Sequence, residues 1–314
     1  MKGYIVRRVL AMIPVVLAVA IFVFGLTHFV PGDPAALMAG GIKASPEQIE
    51  AIRVQLGLDR PIMVQLVDWL WSAARGDLGL SFFGKESVIT LIGSRVAPTL
   101  WLGGLSMTFA IVLGIPLGVL AAWKANTWID RVVMVYSTLG FSIPLFFLGF
   151  IFMLVFAVHL RWLPANGYIP PEESVVQFIR HLIMPSIATG LVIMSLFTRM
   201  TRATVRETLN QDYIRTARAK GVREEFVLIR HALRNALLPV VTVVGASMAI
   251  LLGGVVVTEQ VFTIPGMGRL MVNAVQNRDF PLIQGIILLS ALFHAFINLL
   301  TDLTYAYLDP RIRY

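Results

Sequence analysis

The sequence predicts an all-α membrane protein with six transmembrane helices and a small helical cap after the first of them. Two observations carry this prediction. Of the 314 residues, 57% are hydrophobic and 14% are charged, and the mean hydropathy is +0.78. A soluble domain has about 25% charged residues and about 45–50% apolar ones. The second observation is that the apolar residues are grouped in runs long enough to cross a bilayer.

A hydrocarbon core about 30 Å thick requires roughly 20 apolar residues in a helix. Six segments are candidates: Val9–Val30, Val96–Trp123, Val132–Val158, Leu182–Thr198, Ala236–Thr258 and Phe280–Thr301. The first has too long an apolar core for a cleaved signal peptide, so we expect it to remain as a span. The fourth is the shortest. Pro116 and Pro144 lie deep in the second and third spans and predict kinks there.

The distribution of basic residues predicts the orientation. Sixteen Lys and Arg residues lie in the N-terminal segment, the loops 124–131 and 199–235 and the tail, and ten lie in the remaining loops. Because cytoplasmic loops are enriched in Lys and Arg, we expect both termini and the loop 199–235 in the cytoplasm. The loops 31–97, 159–181 and 259–279 then face outside. The net charge of +8 follows from this topology, so we expect no nucleic-acid partner.

The long outside loop predicts two short helices. In "SPEQIEAIRVQLGL", Ser45 is the expected N-cap and Gln48 stands at the third helical position, which is the capping-box arrangement. Ile49, Ile52 and Leu56 share one face of this helix. The stretch "PIMVQLVDWLWSAARG" predicts a second amphipathic helix. Together the two helices form the predicted cap.

The spans carry little that could do chemistry. The second to fifth contain no ionisable residue, and the sixth contains His294, with Asp302 beyond its end. His294 is interpreted as a packed or interfacial histidine, with a proton-transfer site as the alternative. The chain has no cysteine, which excludes disulfides and thiol nucleophiles. No catalytic motif is visible, so an intramembrane enzyme is disfavoured.

Two glycine-containing motifs need separate interpretations. Gly114 and Gly118 form a GxxxG pair, which allows two helices to approach closely. "GLSFFGKE", residues 79–86, is close to a phosphate-binding loop, but Glu86 replaces the Ser or Thr hydroxyl that such a loop uses on magnesium. The segment also lies in the loop expected outside, away from ATP. We therefore expect no nucleotide site there.

The loop 199–235 contains an unusual basic stretch, "YIRTARAKG". In a helix, Arg215 and Arg218 share one face, and Gly221 takes the position that ends the helix. A second face is shared by Tyr213, Thr216, Ala217 and Lys220. A basic helix lying on anionic lipid is one interpretation. The closely spaced small residues favour the other, a helix that enters a groove on a protein partner.

A second helix is expected directly after this glycine, in "REEFVLIRHALRNALLP". Glu224 and Glu225 stand in its first turn, where the helix dipole favours acidic residues. The predicted apolar stripe consists of Phe226, Ile229, Leu233 and Leu237.

The loop resembles the coupling loop of ATP-binding-cassette (ABC) importer permeases, whose motif runs E-A-A, three residues, then Gly. Arg215, Thr216 and Ala217 occupy the first three positions, and only Ala217 and Gly221 match. This departure resembles the peptide and nickel branch, as do "HFVPGDP", "GDLGLS", "LLGGVVVTEQVFTIPGMGRL", "RDFPLIQG" and "YLDPRIRY". The chain is similar to the first permease of dipeptide, oligopeptide or glutathione importers.

The resemblance implies a type I importer permease of the bacterial inner membrane, with residues 1–94 as the first span and outside loop and 95–307 as a five-helix core. It also implies a set of partners: a second related permease, two ATPase subunits, an extracytoplasmic solute-binding protein and membrane lipid. The ATPase subunits, and not this chain, would bind ATP. The expected cargo is a short peptide or glutathione; nickel chelates, haem and oligosaccharides are alternatives. A stand-alone channel or secondary carrier is the alternative class.

Overall fold

A computed structural model of the chain describes residues 2–29, 35–36, 39, 45–55 and 57–308. The described helices include α1 (Lys2–Phe29), α2 (Pro46–Gln55), α3 (Ile62–Ala74), α4 (Val88–Trp123), α5 (Trp128–Ser142), α6 (Leu145–Phe152), α7 (Val175–Leu209), α8 (Asp212–Ala219), α9 (Leu233–Val261), α10 (Met267–Gln276) and α11 (Phe280–Leu308). The described helices also include two π-helical segments. Met153–His159 follows α6 directly, and Val227–Ala232 lies between a single helical turn, Glu224–Phe226, and α9. Val30, Leu56 and most of "HFVPGDP" and the tail motif lie outside the described residues.

The expectation of an all-α, multi-span protein is confirmed. Five of the described helices are long and apolar enough to cross a membrane: Val6–Thr27, Val88–Trp123, Val175–Leu209, Glu224–Met248 and Phe280–Thr304. A sixth span is present if α5 and α6 are counted together. Five of the six predicted spans thus become longer helices than expected. An additional helix, α10, lies in the loop 259–279, where none was predicted.

The third predicted span is broken, which goes beyond the expected kink. Its two halves, α5 and α6, meet at an angle of 101°. Ile143 between them has an extended backbone, with φ −81° and ψ 124°. A residue before proline is driven out of the helical region by the proline ring, and Pro144 has no N–H to donate to the preceding turn. Pro116, by contrast, lies within an unbroken α4.

The fourth predicted span, Leu182–Thr198, was too short. Helix α7 begins after Ser174, whose side chain accepts a hydrogen bond from the Gln177 N–H at 3.4 Å, and it runs to Leu209. Hydropathy marks the apolar part of a helix and not its ends, so Arg199, Arg202 and Arg206 were placed in a loop. They lie on the last turns of α7, and the loop proper begins at Asn210.

The chain divides into two compact units, Met1–Ala97 with Arg269–Phe296 and Pro98–Gly268 with Ile297–Tyr314. In the second unit α7 is central and packs closely on α4. A Cβ built on Gly118 would lie 2.6 Å from the Thr198 carbonyl oxygen, and the Thr198 hydroxyl donates to the Gly114 carbonyl at 3.1 Å. The close approach expected of the GxxxG pair is therefore present.

The first unit contains the two short helices expected in the long loop. The Ser45 side chain accepts a hydrogen bond from the Gln48 N–H at 3.2 Å, and the Gln48 side chain accepts one from the Ser45 N–H at 3.1 Å. This reciprocal pair is the predicted capping box. Ile49 and Ile52 are half-buried. The placement of these helices outside the membrane stays a prediction.

The segment "GLSFFGKE" forms a closed hairpin in the first unit. The Ser81 N–H donates to the Glu86 carbonyl and the Lys85 N–H donates to the Ser81 carbonyl. Asp279, buried immediately before α11, anchors the hairpin: it accepts from the Ser81 hydroxyl at 2.5 Å and from the Phe82 N–H at 3.2 Å. The hydrogen bonds thus close the segment on itself and fix it to the residue before α11.

Candidate functional site

The basic stretch folds as the short helix α8, which follows α7 after a turn at Asn210 and Gln211. Ile214 and Ala217 are the buried residues of α8. They pack against Val227 and Ala232 of the π-helical segment. The other residues of α8 are exposed. The helix therefore has a buried inner face and an exposed outer face.

Helix α8 ends just before Gly221, in the way that the sequence predicted. Gly221 has φ +78°, and its N–H donates to the Arg218 carbonyl at 2.9 Å. The Val222 N–H donates to the Ala217 carbonyl at 3.3 Å. These two bonds form a Schellman motif, and Val222 packs with Ala217 as such motifs favour. Apart from its two chain neighbours, no described residue has an atom within 4 Å of a Cβ built at Gly221, so within this part of the chain only the backbone conformation requires glycine.

The predicted face of Tyr213, Thr216, Ala217 and Lys220 is divided in the structure. Ala217 is buried, whereas the other three are exposed. The Tyr213 hydroxyl accepts a hydrogen bond from the Asn235 amide at 3.0 Å and donates to the His231 carbonyl at 3.4 Å. The sequence reasoning missed Ile214, although its large apolar side chain between polar neighbours was the available signal.

The basic residues of α8 have local partners. Arg218 forms two hydrogen bonds to Glu224 across the glycine turn, Nε to Oε1 at 2.7 Å and Nη2 to Oε2 at 3.2 Å. Arg215 lies 3.5 Å from Asp212. Both pairs are exposed, and such pairs contribute about 0–1 kcal/mol. Their main effect is to reduce the positive charge that the outer face of α8 presents.

The predicted apolar stripe after Gly221 is wrong in its first half. Phe226 is 55% exposed and Ile229 is 66% exposed. The buried residues are Val227, Leu228, Ala232 and Ala236. A stripe counted at α-helical spacing fails here because Val227–Ala232 is π-helical. In a π-helix residues five positions apart are hydrogen-bonded along the chain, which places Val227 and Ala232 together under α8.

Three buried carboxylates, Asp130, Glu259 and Asp279, were missed because each lies just beyond a predicted span. Asp130 precedes the third span, and in the structure it is buried against Arg202. Glu259 follows the fifth span, and in the structure it lies within α9 and is fully buried. Its carboxylate accepts a hydrogen bond from the Thr99 hydroxyl at 2.6 Å. A Cβ on Gly266 would overlap this carboxylate, which explains the glycine in "TIPGMG".

His294 lies on an exposed part of α11, so it is not packed within the chain itself. Among the described residues, no three His, Cys, Asp or Glu side chains are grouped in a way that could hold a metal ion.

Comparison with known proteins agrees with this architecture. Residues 114–314 match the family profile described as binding-protein-dependent transport system inner membrane component, and residues 1–103 match the N-terminal profile of the same systems. The chain belongs to this family. It is therefore a multi-pass membrane component of an ABC importer and not an enzyme, and the family implies ATPase and binding-protein partners.

Full-length relatives support the assignment. A probable peptide ABC transporter permease protein of Sinorhizobium fredii is 42% identical over 314 residues, covering 100% of both chains. A putative peptide transport system permease protein of Brucella abortus is 45% identical, again over 100% of both. The glutathione transport system permease protein GsiC of Escherichia coli (strain K12) is 43% identical with the same coverage.

Solved structures share the fold. A chain of the MetNI methionine ABC transporter, in an inward-facing conformation, aligns with a TM-score of 0.59 and 18% identity, covering 70% of this chain and 96% of that one. A chain of an amino acid ABC transporter aligns with a TM-score of 0.54 and 15% identity, covering 69% and 94%.

Proposed function

We propose that this chain forms half of the translocation pathway of an ATP-driven importer for short peptides or glutathione. The other half is a second, related permease, and two ATPase subunits bind and hydrolyse the ATP. An extracytoplasmic binding protein delivers the solute over the loop 31–97 and the loop after α9. Both termini and α8 lie in the cytoplasm. The chain itself holds no cofactor and performs no covalent chemistry.

The observation that supports this proposal best is the construction of α8. A helix of eight residues is too short to be stable alone, and two buried side chains and a Schellman motif hold it in place. The side chains of Arg215, Thr216 and Lys220 remain exposed on its outer face. A short, fixed helix with a free outer face suits insertion into a groove on another protein.

Coupling follows from this arrangement by displacement. When the ATPase subunits close on ATP, the groove that holds α8 moves, and α8 moves with it. Because α8 follows α7 after a turn of two residues, the displacement passes into a long membrane helix. Repeated closing and opening then exposes the pathway to one side of the membrane and then to the other.

The cargo is proposed from the relatives. Those named for peptides and for glutathione match over their whole length. Glutathione is itself a tripeptide, so both names describe one chemical class of solute. The binding protein would select among such solutes, since it meets them first.

Affinity purification of tagged chain from native membranes tests the coupling role. Ala219 is exposed, so Ala219→Trp leaves the interior of the chain unchanged but adds bulk to the proposed contact. We expect this variant to lose the ATPase subunits and the uptake of labelled dipeptide. Asn210→Trp, at an exposed position before α8, is the matched control and should retain both. Normal ATPase association in Ala219→Trp would refute docking through α8.

A further inference from the structure

Asp130 and Arg202 form a two-point ion pair between α5 and α7. Arg202 Nε donates to Asp130 Oδ1 at 2.5 Å, and Nη2 donates to Oδ2 at 2.7 Å. The Asn126 N–H donates a third hydrogen bond to Oδ2 at 3.0 Å. Asp130 is 4% exposed. The carboxylate is therefore held by three donors, two of them on one rigid guanidinium fork.

The same two helices meet at a second place. The Arg199 guanidinium lies over the Phe141 ring, 4.7 Å from its centroid. A Cβ on Gly140 would overlap the Ser195 hydroxyl, so the backbone of α5 lies directly on α7 there. Asp130 stands near the start of α5, and Gly140 and Phe141 stand near its end. Helix α5 is thus attached to α7 at both of its ends.

A buried ion pair is a poor source of stability, because removing two charges from water offsets most of their attraction. Its best-supported use is to fix one arrangement among several similar ones. A guanidinium fork fits a carboxylate in one geometry, whereas apolar packing tolerates sliding. The position of the pair is also informative: Arg202 lies about two helical turns before Leu209, where α7 ends and the chain turns into α8.

We propose that Asp130 and Arg202 are positioning residues that make α5 move together with α7, and so carry the displacement of α8 into the broken third span. This inference rests on the proposed function, because it requires α8 to be the element that the ATPases move. The break at Ile143 and Pro144 marks the end of α5, and α6 continues from it at 101°.

The test uses the complete transporter, reconstituted in proteoliposomes with its binding protein and a labelled dipeptide. Two quantities are measured for each variant: the solute imported per ATP hydrolysed, and the amount of ATPase subunit that stays bound. Asp130→Asn removes the charge and keeps the shape of the side chain. Arg202→Lys keeps the charge and removes the fork. Effects between coupled sites commonly span about 5- to 150-fold, and we expect the solute imported per ATP hydrolysed to fall about tenfold in each. Both variants should retain the ATPase subunits.

Glu173→Gln is the matched control, since it also converts a carboxylate to an amide but at an exposed position. Its import per ATP should equal that of the unaltered protein. A purely structural pair predicts another pattern: less complex is recovered, but each recovered complex imports normally per ATP. That result, or unchanged coupling in Asp130→Asn, would overturn the inference and leave the docking of α8 intact. Failure of the unaltered chain to bind ATPases would instead defeat the proposed function.

Discussion

Gly221 allows the coupling proposal to be tested quantitatively. Its φ of +78° lies in the left-handed region, where a residue with a Cβ costs about 1–2 kcal/mol. Beyond its chain neighbours, nothing in the part of the chain that the structure describes lies within 4 Å of an added Cβ, so no packing cost is added there. Gly221→Ala should therefore destabilise the end of α8 by about 1 kcal/mol, which lowers the ratio of intact to frayed helix end about fivefold.

The choice of side chain separates backbone strain from bulk. Asn is enriched several-fold in the left-handed region, so strain alone predicts that Gly221→Asn retains more uptake than Gly221→Ala. Bulk at a partner surface predicts the reverse order, because Asn is larger. Val, which is β-branched, should be the worst of the three under either mechanism. Peptide uptake and ATPase co-purification, normalised to the amount of permease in the membrane, give the order.

A lipid-only role for α8 makes a different prediction. In that case Gly221→Ala would be nearly silent, and replacing Arg215, Arg218 and Lys220 together by Gln would matter most. We expect the Gly221 variants to reach the membrane in normal amounts and to lose ATPase association. Normal ATPase association and uptake in both Gly221→Val and Gly221→Asp would refute the reasoning that places a coupling helix here.

Two further predictions concern the fold. A cysteine at Asp59 should be labelled by a membrane-impermeant thiol reagent in intact cells, and one at Asn210 should be labelled only after the membrane is opened; the opposite result would reverse the orientation. Gly118→Ala should lower the stability of the detergent-purified subunit by about 1–3 kcal/mol through overpacking against α7. Gly104→Ala, on the same helix, should leave thermal unfolding unchanged, because no described residue beyond its own stretch of helix has an atom within 4 Å of the added Cβ. Equal effects of the two substitutions would contradict the packing argument.

The sequence was sufficient for the features that depend on composition or on one residue type. Long apolar runs predicted the spans, the Ser45–Gln48 spacing predicted a capping box, and Gly221 predicted a left-handed helix end. In each case the physical cause is local: a run of apolar side chains, a reciprocal hydrogen bond, or a missing Cβ. Such causes can be identified without knowing what packs against the segment.

The features that the sequence did not reveal depend on contacts between distant segments or on helix irregularity. Asp130 and Arg202 are far apart in the chain, so their pairing has no local signal. Glu259 was placed in a loop because hydropathy falls at a carboxylate, although the helix continues past it. The π-helical segment at Val227–Ala232 altered the burial pattern, since periodicity arguments assume one spacing throughout a helix.

The packing of α8 against the π-helical segment affects which membrane helices a movement of α8 would displace. Ile214 and Ala217 rest on Val227 and Ala232, and that segment runs directly into α9. If α8 docks on an ATPase subunit as proposed, a pull on it would reach α7 through the chain and α9 through this contact and the short connection after Gly221, so one docking event would act on two membrane crossings at once. A cavity made at this contact should weaken the route to α9 without altering any residue on the exposed outer face of α8.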